Sequence, residues 1–138
     1  MKLKAVTALT LLTLGACSGA DTSGIFMAAN GYRVLPTADP NRFEVLARAG
    51  AGGSDYYCAA ADYAFRRLDA SPADRVVVQS SPSVGQRTGS LSAFFSVAKQ
   101  GSVPRSNTLH YSMQPGQNAQ IGLARQNCRK NTFKNDND

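Results

Sequence analysis

The chain has 138 residues, room for one ordinary domain but not for two. With 43% hydrophobic and 17% charged residues it is neither low-complexity nor disordered overall. Its formal charge of +6 comes from 15 basic and 9 acidic side chains, a mild excess that suits either solubility alone or contact with anionic surfaces.

The first seventeen residues have the character of a processing signal. Lys2 and Lys4 make a short positive start, and Ala5 to Leu14 is apolar, interrupted only by threonines. A spanning helix needs roughly 20 apolar residues, so this stretch is too short for a permanent anchor. It ends in Leu14-Gly15-Ala16-Cys17. In this order the features resemble the signal and lipobox of bacterial lipoproteins, a resemblance confined to residues 1–17. It implies that residues 1–16 are removed and that Cys17 becomes a lipidated N-terminus bearing two or three acyl chains. Each buried acyl methylene contributes about 0.8 kcal/mol, so such an anchor is effectively permanent. Serine at position 18, where retained lipoproteins carry aspartate, implies the periplasmic face of the outer membrane. An ordinary cleaved signal followed by a chance cysteine is the alternative. Residues 17–31 then read as the lipidated end and a flexible tether, since Ser18 to Gly24 are small and polar.

The folded domain is expected over residues 32–130. Tyr32 to Pro36 reads as a short strand, Thr37 to Asn41 as a turn, and Phe43, Val45 and Ala47 alternate with Glu44, Leu46 and Arg48 as a second strand. Gly50, Gly52 and Gly53 break it, Ser54 is the expected N-cap, and a helix follows from Asp55 to Leu68. Cys58, Ala61, Phe65 and Leu68 share one face of that helix, while Asp62 and Arg66 are expected to pair in solvent on another. Arg75 to Gln79, with three consecutive valines, predicts a well-buried strand. Ser80 to Ser90 reads as a long loop, Leu91 to Ala98 as a strand, Lys99 to Thr108 as a second loop, and Leu109 to Gln114 as the last strand. A helix over Gln117 to Arg129 carries Ile121, Ala124 and Cys128 on one face, although Gly122 weakens it. Residues 131–138 form a polar tail. The order β-β-α-β-β-β-α, with short connections, predicts an α+β fold in which a small antiparallel sheet packs both helices on one face.

Setting Cys17 aside for lipid leaves Cys58 and Cys128, which are expected to form a disulfide in an exported protein. A reactive thiol at Cys58, near a helix start, is the competing reading. If Lys2 and Lys4 leave with the signal, 13 basic and 9 acidic side chains remain, a net of +4. Nucleic acid does not suit an exported protein; anionic lipid headgroups, an envelope polymer or another envelope protein do.

No constellation points to catalysis. Gly50-Ala51-Gly52-Gly53-Ser54 lacks the third glycine of a dinucleotide loop and the lysine of a P-loop, so turn geometry explains it best. Ser54, His110 and Asp55 or Asp62 have no supporting spacing, and Glu44 is the sole glutamate. No metal or cofactor is expected, since two cysteines and one histidine give no ligand-pair spacing. Tyr56, Tyr57 and Tyr63 with Arg66 and Arg67 make either an aromatic–cationic surface or buried ring packing, the latter favoured. The two long loops, with Arg87, Lys99 and Arg105 in or beside them, are the expected recognition surface. The segment Asp55 to Ala64 is similar to small uncharacterised exported proteins of alphaproteobacteria, which brings no activity with it. The expectation is therefore a lipid-anchored, non-enzymatic binding or structural module, with a small enzyme or an inhibitor or immunity-type protein as alternatives.

Overall fold

Val34, Phe43 and Val45 point to one side of two adjacent strands, and the sheet assembles around them. In the computed structural model, which describes residues 24–106 and 111–130, the elements are β1 (Phe26–Met27), β2 (Arg33–Pro36), β3 (Arg42–Leu46), α1 (Gly53–Arg67), β4 (Arg75–Val78), β5 (Ser83–Val84), β6 (Leu91–Ala98), β7 (Asn118–Gln120) and α2 (Ile121–Lys130). Strand order is β1-β2-β3-β6-β4-β7, and every pairing is antiparallel. The expected α+β class and antiparallel sheet are what the chain adopts. Helix α1 lies against β2, β3, β4 and β6, and α2 packs on α1 and β7. Ile121 and Ala124 of α2 join the same core as Val34, Phe43, Val45, Val76, Val78 and Phe95, so the two helices share a face of the sheet.

Three segments differ from expectation. The domain begins before residue 32, because Phe26 of β1 pairs opposite Val34 and is buried edge-on against Tyr63, 5.4 Å between ring centroids. A two-residue strand carries too little alternation to announce itself. The stretch Ser80 to Ser90 is not one loop. The Gln79 and Ser80 amides both donate to the Phe94 carbonyl, a bulge after which β5 resumes pairing with Leu91 and Ser92. Beyond β5 a tight turn from Gly85 to Ser90 follows, closed by Gly85 donating to the Ser90 carbonyl at 2.9 Å. Finally, residues 111–114 of the expected last strand are irregular, and 107–110 lie outside the described residues. The free edge of β4 is taken instead by β7, inside the segment expected to open the second helix.

Helix α1 starts at Gly53, two residues earlier than expected. Its N-cap is Gly52, not Ser54, and the Asp55 carboxylate accepts from the Gly52 amide at 2.9 Å, occupying the partly positive helix start. Nor is α1 buried along a single stripe: every residue from Tyr56 to Ala64 is inside. The sheet covers one side and α2 the other, and Ala59, Ala60, Ala61 and Ala64 keep both approaches close. Asp62, expected in solvent, is only 2% exposed; it accepts from the Ala29 amide and from Arg66, with Arg125 at 3.4 Å.

Tyr32, Tyr56, Tyr57 and Tyr63 are packed with their rings inside, and burial, the leading cause in each, raises all four phenols above the ordinary value of 10.0. An unfolded chain ionises these groups first. Their contribution to stability is therefore complete below pH 10 and is lost as pH rises toward the folded values. The urea midpoint should hold steady from neutrality to about pH 9 and fall steeply above about pH 10, with tyrosinate absorbance appearing together with unfolding. Ionisation of all tyrosines near their ordinary value, at an unchanged midpoint, would contradict this burial.

Candidate functional site

Cys17, the candidate lipidation site, lies outside the described residues, as do residues 1–16 and 131–138 and His110. Cys58 and Cys128 are bonded to each other, buried between α1 and α2, with 5.1 Å between their Cα atoms. Among the described residues no group of three or more His, Cys, Asp or Glu side chains is placed to hold a metal ion.

The expected recognition cations are not brought together. Arg87 sits in the turn before Leu91 and Lys99 just past Ala98, so the eight-residue β6, about 25 Å long, separates them. Arg87 donates to the Glu44 carboxylate at 2.9 Å, and Lys99 to Asp74 at 3.1 Å. Arg105 is exposed, on a loop pinned by Asn118, whose side-chain amide donates to the Pro104 carbonyl and whose backbone amide donates to Ser106 Oγ. The opposite side of Asn118 accepts from Arg75 Nε.

The carboxylates explain why cations dominate the surface. Glu44, Asp62 and Asp74 are each nearly inaccessible, and each is covered by an exposed cation, Arg87, Arg66 or Lys99. Burial by itself would raise the Asp74 carboxyl. Lys99 and the amides of Gln100 and Ser71 outweigh it and hold the group below its ordinary value of 3.8. Glu44 also accepts from Ser92 Oγ at 2.7 Å, and Gly85 lies so close that a Cβ there would stand 2.7 Å from the carboxylate. These three acids sit in separate places, Glu44 on β3, Asp62 on α1 and Asp74 before β4, and so form no acid–base pair.

A cleft of about 380 Å³ opens between the C-terminal end of α1 and the β2–β3 turn. Tyr63, Arg66 and Arg67 form its helix wall, Thr37, Asp39 and Arg42 its turn wall, and Gly24 lines it too. The Tyr63 ring is wedged between Phe26 and Phe43, at 5.4 and 4.7 Å, which fixes its position. Its hydroxyl has no hydrogen-bond partner among the described residues, although the residue is 94% buried. Burial raises this phenol, and the nearby Arg67 guanidinium partly offsets the rise. Arg67 makes no hydrogen bond or ion pair among the described residues, and its guanidinium lies against the Gly24 backbone, where a Cβ would be 3.5 Å away. Arg66 is held by Asp62 and by the Phe26 ring, 4.9 Å from its centroid, while Arg42 stacks on Phe94 at 4.3 Å. Asp39 is the only acid on the wall, and its Oδ1 is engaged by the Asn41 amide at 2.9 Å. The unengaged polar groups of the residues lining the cleft, Tyr63 O–H and the Arg67 N–H fork, are donors, so the arrangement suits an anion.

Of the residues expected to form either an aromatic–cationic surface or buried ring packing, Tyr56, Tyr57, Tyr63, Arg66 and Arg67, the cleft takes Tyr63, Arg66 and Arg67. The tyrosine rings do pack inside, and Tyr63, Arg66 and Arg67 line the same cleft. Tyr63 and Arg67 are four residues apart on the helix, a spacing that could have marked them as neighbours. Comparisons with protein families, with curated proteins and with solved structures found no match to the chain.

Proposed function

We propose that the chain is an exported lipoprotein, attached through Cys17 to the periplasmic face of the envelope, whose domain is a non-enzymatic binding module. The observation that carries this reading is the buried Cys58–Cys128 bridge. Structural disulfides of this kind persist in oxidising compartments outside the cytoplasm. The bridge uses two of the three cysteines and leaves Cys17, directly after Leu14-Gly15-Ala16, for another chemistry. No described helix is long and apolar enough to cross a membrane, which is consistent with attachment by lipid. Recognition is assigned to the cleft at the end of α1, where unengaged donors meet, in preference to Arg87 and Lys99, whose charges are spent on buried carboxylates. Ser18 favours the outer membrane.

Intact mass of the protein extracted from membranes, taken with and without reductant and alkylating agent, tests this. The expected species runs from Cys17 to Asp138 with acyl chains added, and takes up no alkylating agent until it is reduced. A mass without lipid overturns the anchor, and alkylation of Cys58 before reduction overturns the bridge.

A further inference from the structure

We infer that the cleft at the end of α1 holds the phosphate of an anionic phospholipid headgroup in the bilayer that carries the anchor. This rests on the reading of Cys17 as a lipidated N-terminus. Tyr63, whose ring is fixed by packing on Phe26 and Phe43, shares the cleft wall with Arg67, and among the described residues neither its hydroxyl nor the Arg67 guanidinium has a hydrogen-bond or ion-pair partner. A hydroxyl donor beside a planar guanidinium fork matches phosphate oxygens, which accept from both. The C-terminal end of α1 would by itself repel an anion, and the pair Arg66 and Arg67 in its last turn reverses that field. Asp39, the one acid among the lining residues, accepts from the Asn41 amide, and the other charge there, Arg42, is a cation stacked on Phe94.

Chain length selects the source of the phosphate. Gly24 lines the cleft, and the seven links from Cys17 to Gly24 span at most about 25 Å. Anionic surface potential decays within about 8 Å at physiological salt, so only groups brought against the bilayer sense it. The cleft includes Gly24, the described residue nearest to Cys17 in the chain, whereas Arg105 sits on a separate loop pinned to Asn118. Bound in this way, the domain lies down on the membrane with the β2–β3 turn and the end of α1 facing lipid.

The test uses the mature chain, residues 17–138 with Cys17→Ser and the disulfide formed, co-sedimented with vesicles of phosphatidylglycerol in phosphatidylcholine or of phosphatidylcholine alone. Binding should require phosphatidylglycerol. Arg67→Gln should weaken it about five-fold, and Tyr63→Phe, which keeps the ring packing, about ten-fold. Arg105→Gln should change it by less than about two-fold, with all variants showing the parent's circular dichroism. An equal loss from Arg105→Gln, or none from Tyr63→Phe, overturns the site in favour of diffuse attraction. Displacement by inorganic phosphate at constant ionic strength overturns the headgroup assignment. The anchor is decided separately by intact mass: headgroup binding by the unlipidated chain, with no lipid on Cys17 of the native protein, overturns the shared bilayer and leaves the cleft chemistry standing.

Discussion

Replacing Cys58 and Cys128 together by alanine should lower stability by about 4 kcal/mol and the melting temperature by roughly 15–25 °C. The bridge joins positions 70 apart, so without it the unfolded chain regains nearly the full loop-closure entropy of most of the domain. It is also the covalent tie between α1 and α2, which are otherwise joined by side-chain packing and by Arg125, 3.4 Å from the Asp62 carboxylate and 3.9 Å from the Phe65 ring centroid. Ile121 and Ala124 are the buried aliphatic anchors of α2, Leu123 is 55% exposed, and the short β7 connects it to the sheet. The loss should therefore start with α2. Amide exchange of the double variant should show α2 opening well below the global unfolding energy, with the strands β3 and β6 still protected. Thermal melts within a few degrees of each other for the oxidised protein and the double variant would show instead that packing of Ile121 and Ala124 suffices.

The second large effect is expected at Gly53, the first residue of α1. Helix propensity alone predicts that Gly53→Ala stabilises by up to about 1 kcal/mol. Packing predicts the reverse, because a Cβ at this position would stand 1.8 Å from the Tyr111 carbonyl oxygen and 3.0 Å from its carbonyl carbon. The obstacle is backbone, and it cannot swing aside as a side chain would. The segment it belongs to is held by Tyr111 packing on Tyr57 at 5.1 Å and by the Tyr57 hydroxyl donating to the Ser112 carbonyl at 3.1 Å. Overpacking of this kind costs about 3 kcal/mol, so the clash outweighs the propensity gain and the net loss is about 2 kcal/mol. The neighbouring Gly52→Ala meets nothing closer than 3.8 Å and should cost far less. Chemical denaturation of the pair decides the matter, and a Gly53→Ala variant as stable as the parent would remove segment 111–113 from the helix start.

These two positions also mark how far the residues speak for themselves. The α+β class, α1 and the buried strand Arg75–Val78 follow from local pattern, because apolar period and β-branched runs act over a few neighbouring residues. The pairing of Cys58 with Cys128 follows from counting once Cys17 is set aside. The glycine run before α1 was recognisable as a break, but its reason was not, since Tyr111 is 58 residues away and only the fold brings its carbonyl there. Alternation from Leu109 to Gln114 looks like a strand. In residues 111–114 it reflects ring packing on Tyr57 rather than pairing, while the edge of β4 goes to Asn118–Gln120, three residues with no pattern of their own.

By itself, then, the sequence determined the elements whose side-chain periodicity is long enough to specify a face, together with the helix-spanning disulfide and the signal-like start. Tertiary structure alone decided what covers the second face of each element. Period two and period 3.6 say which side chains share a side, and nothing about what lies opposite. That is why Glu44 and Asp62 proved buried under exposed arginines, and why α1 is enclosed from both sides. It is also why the cleft at the end of α1 is lined by residues from three distant segments, Gly24, the β2–β3 turn and the last turn of the helix.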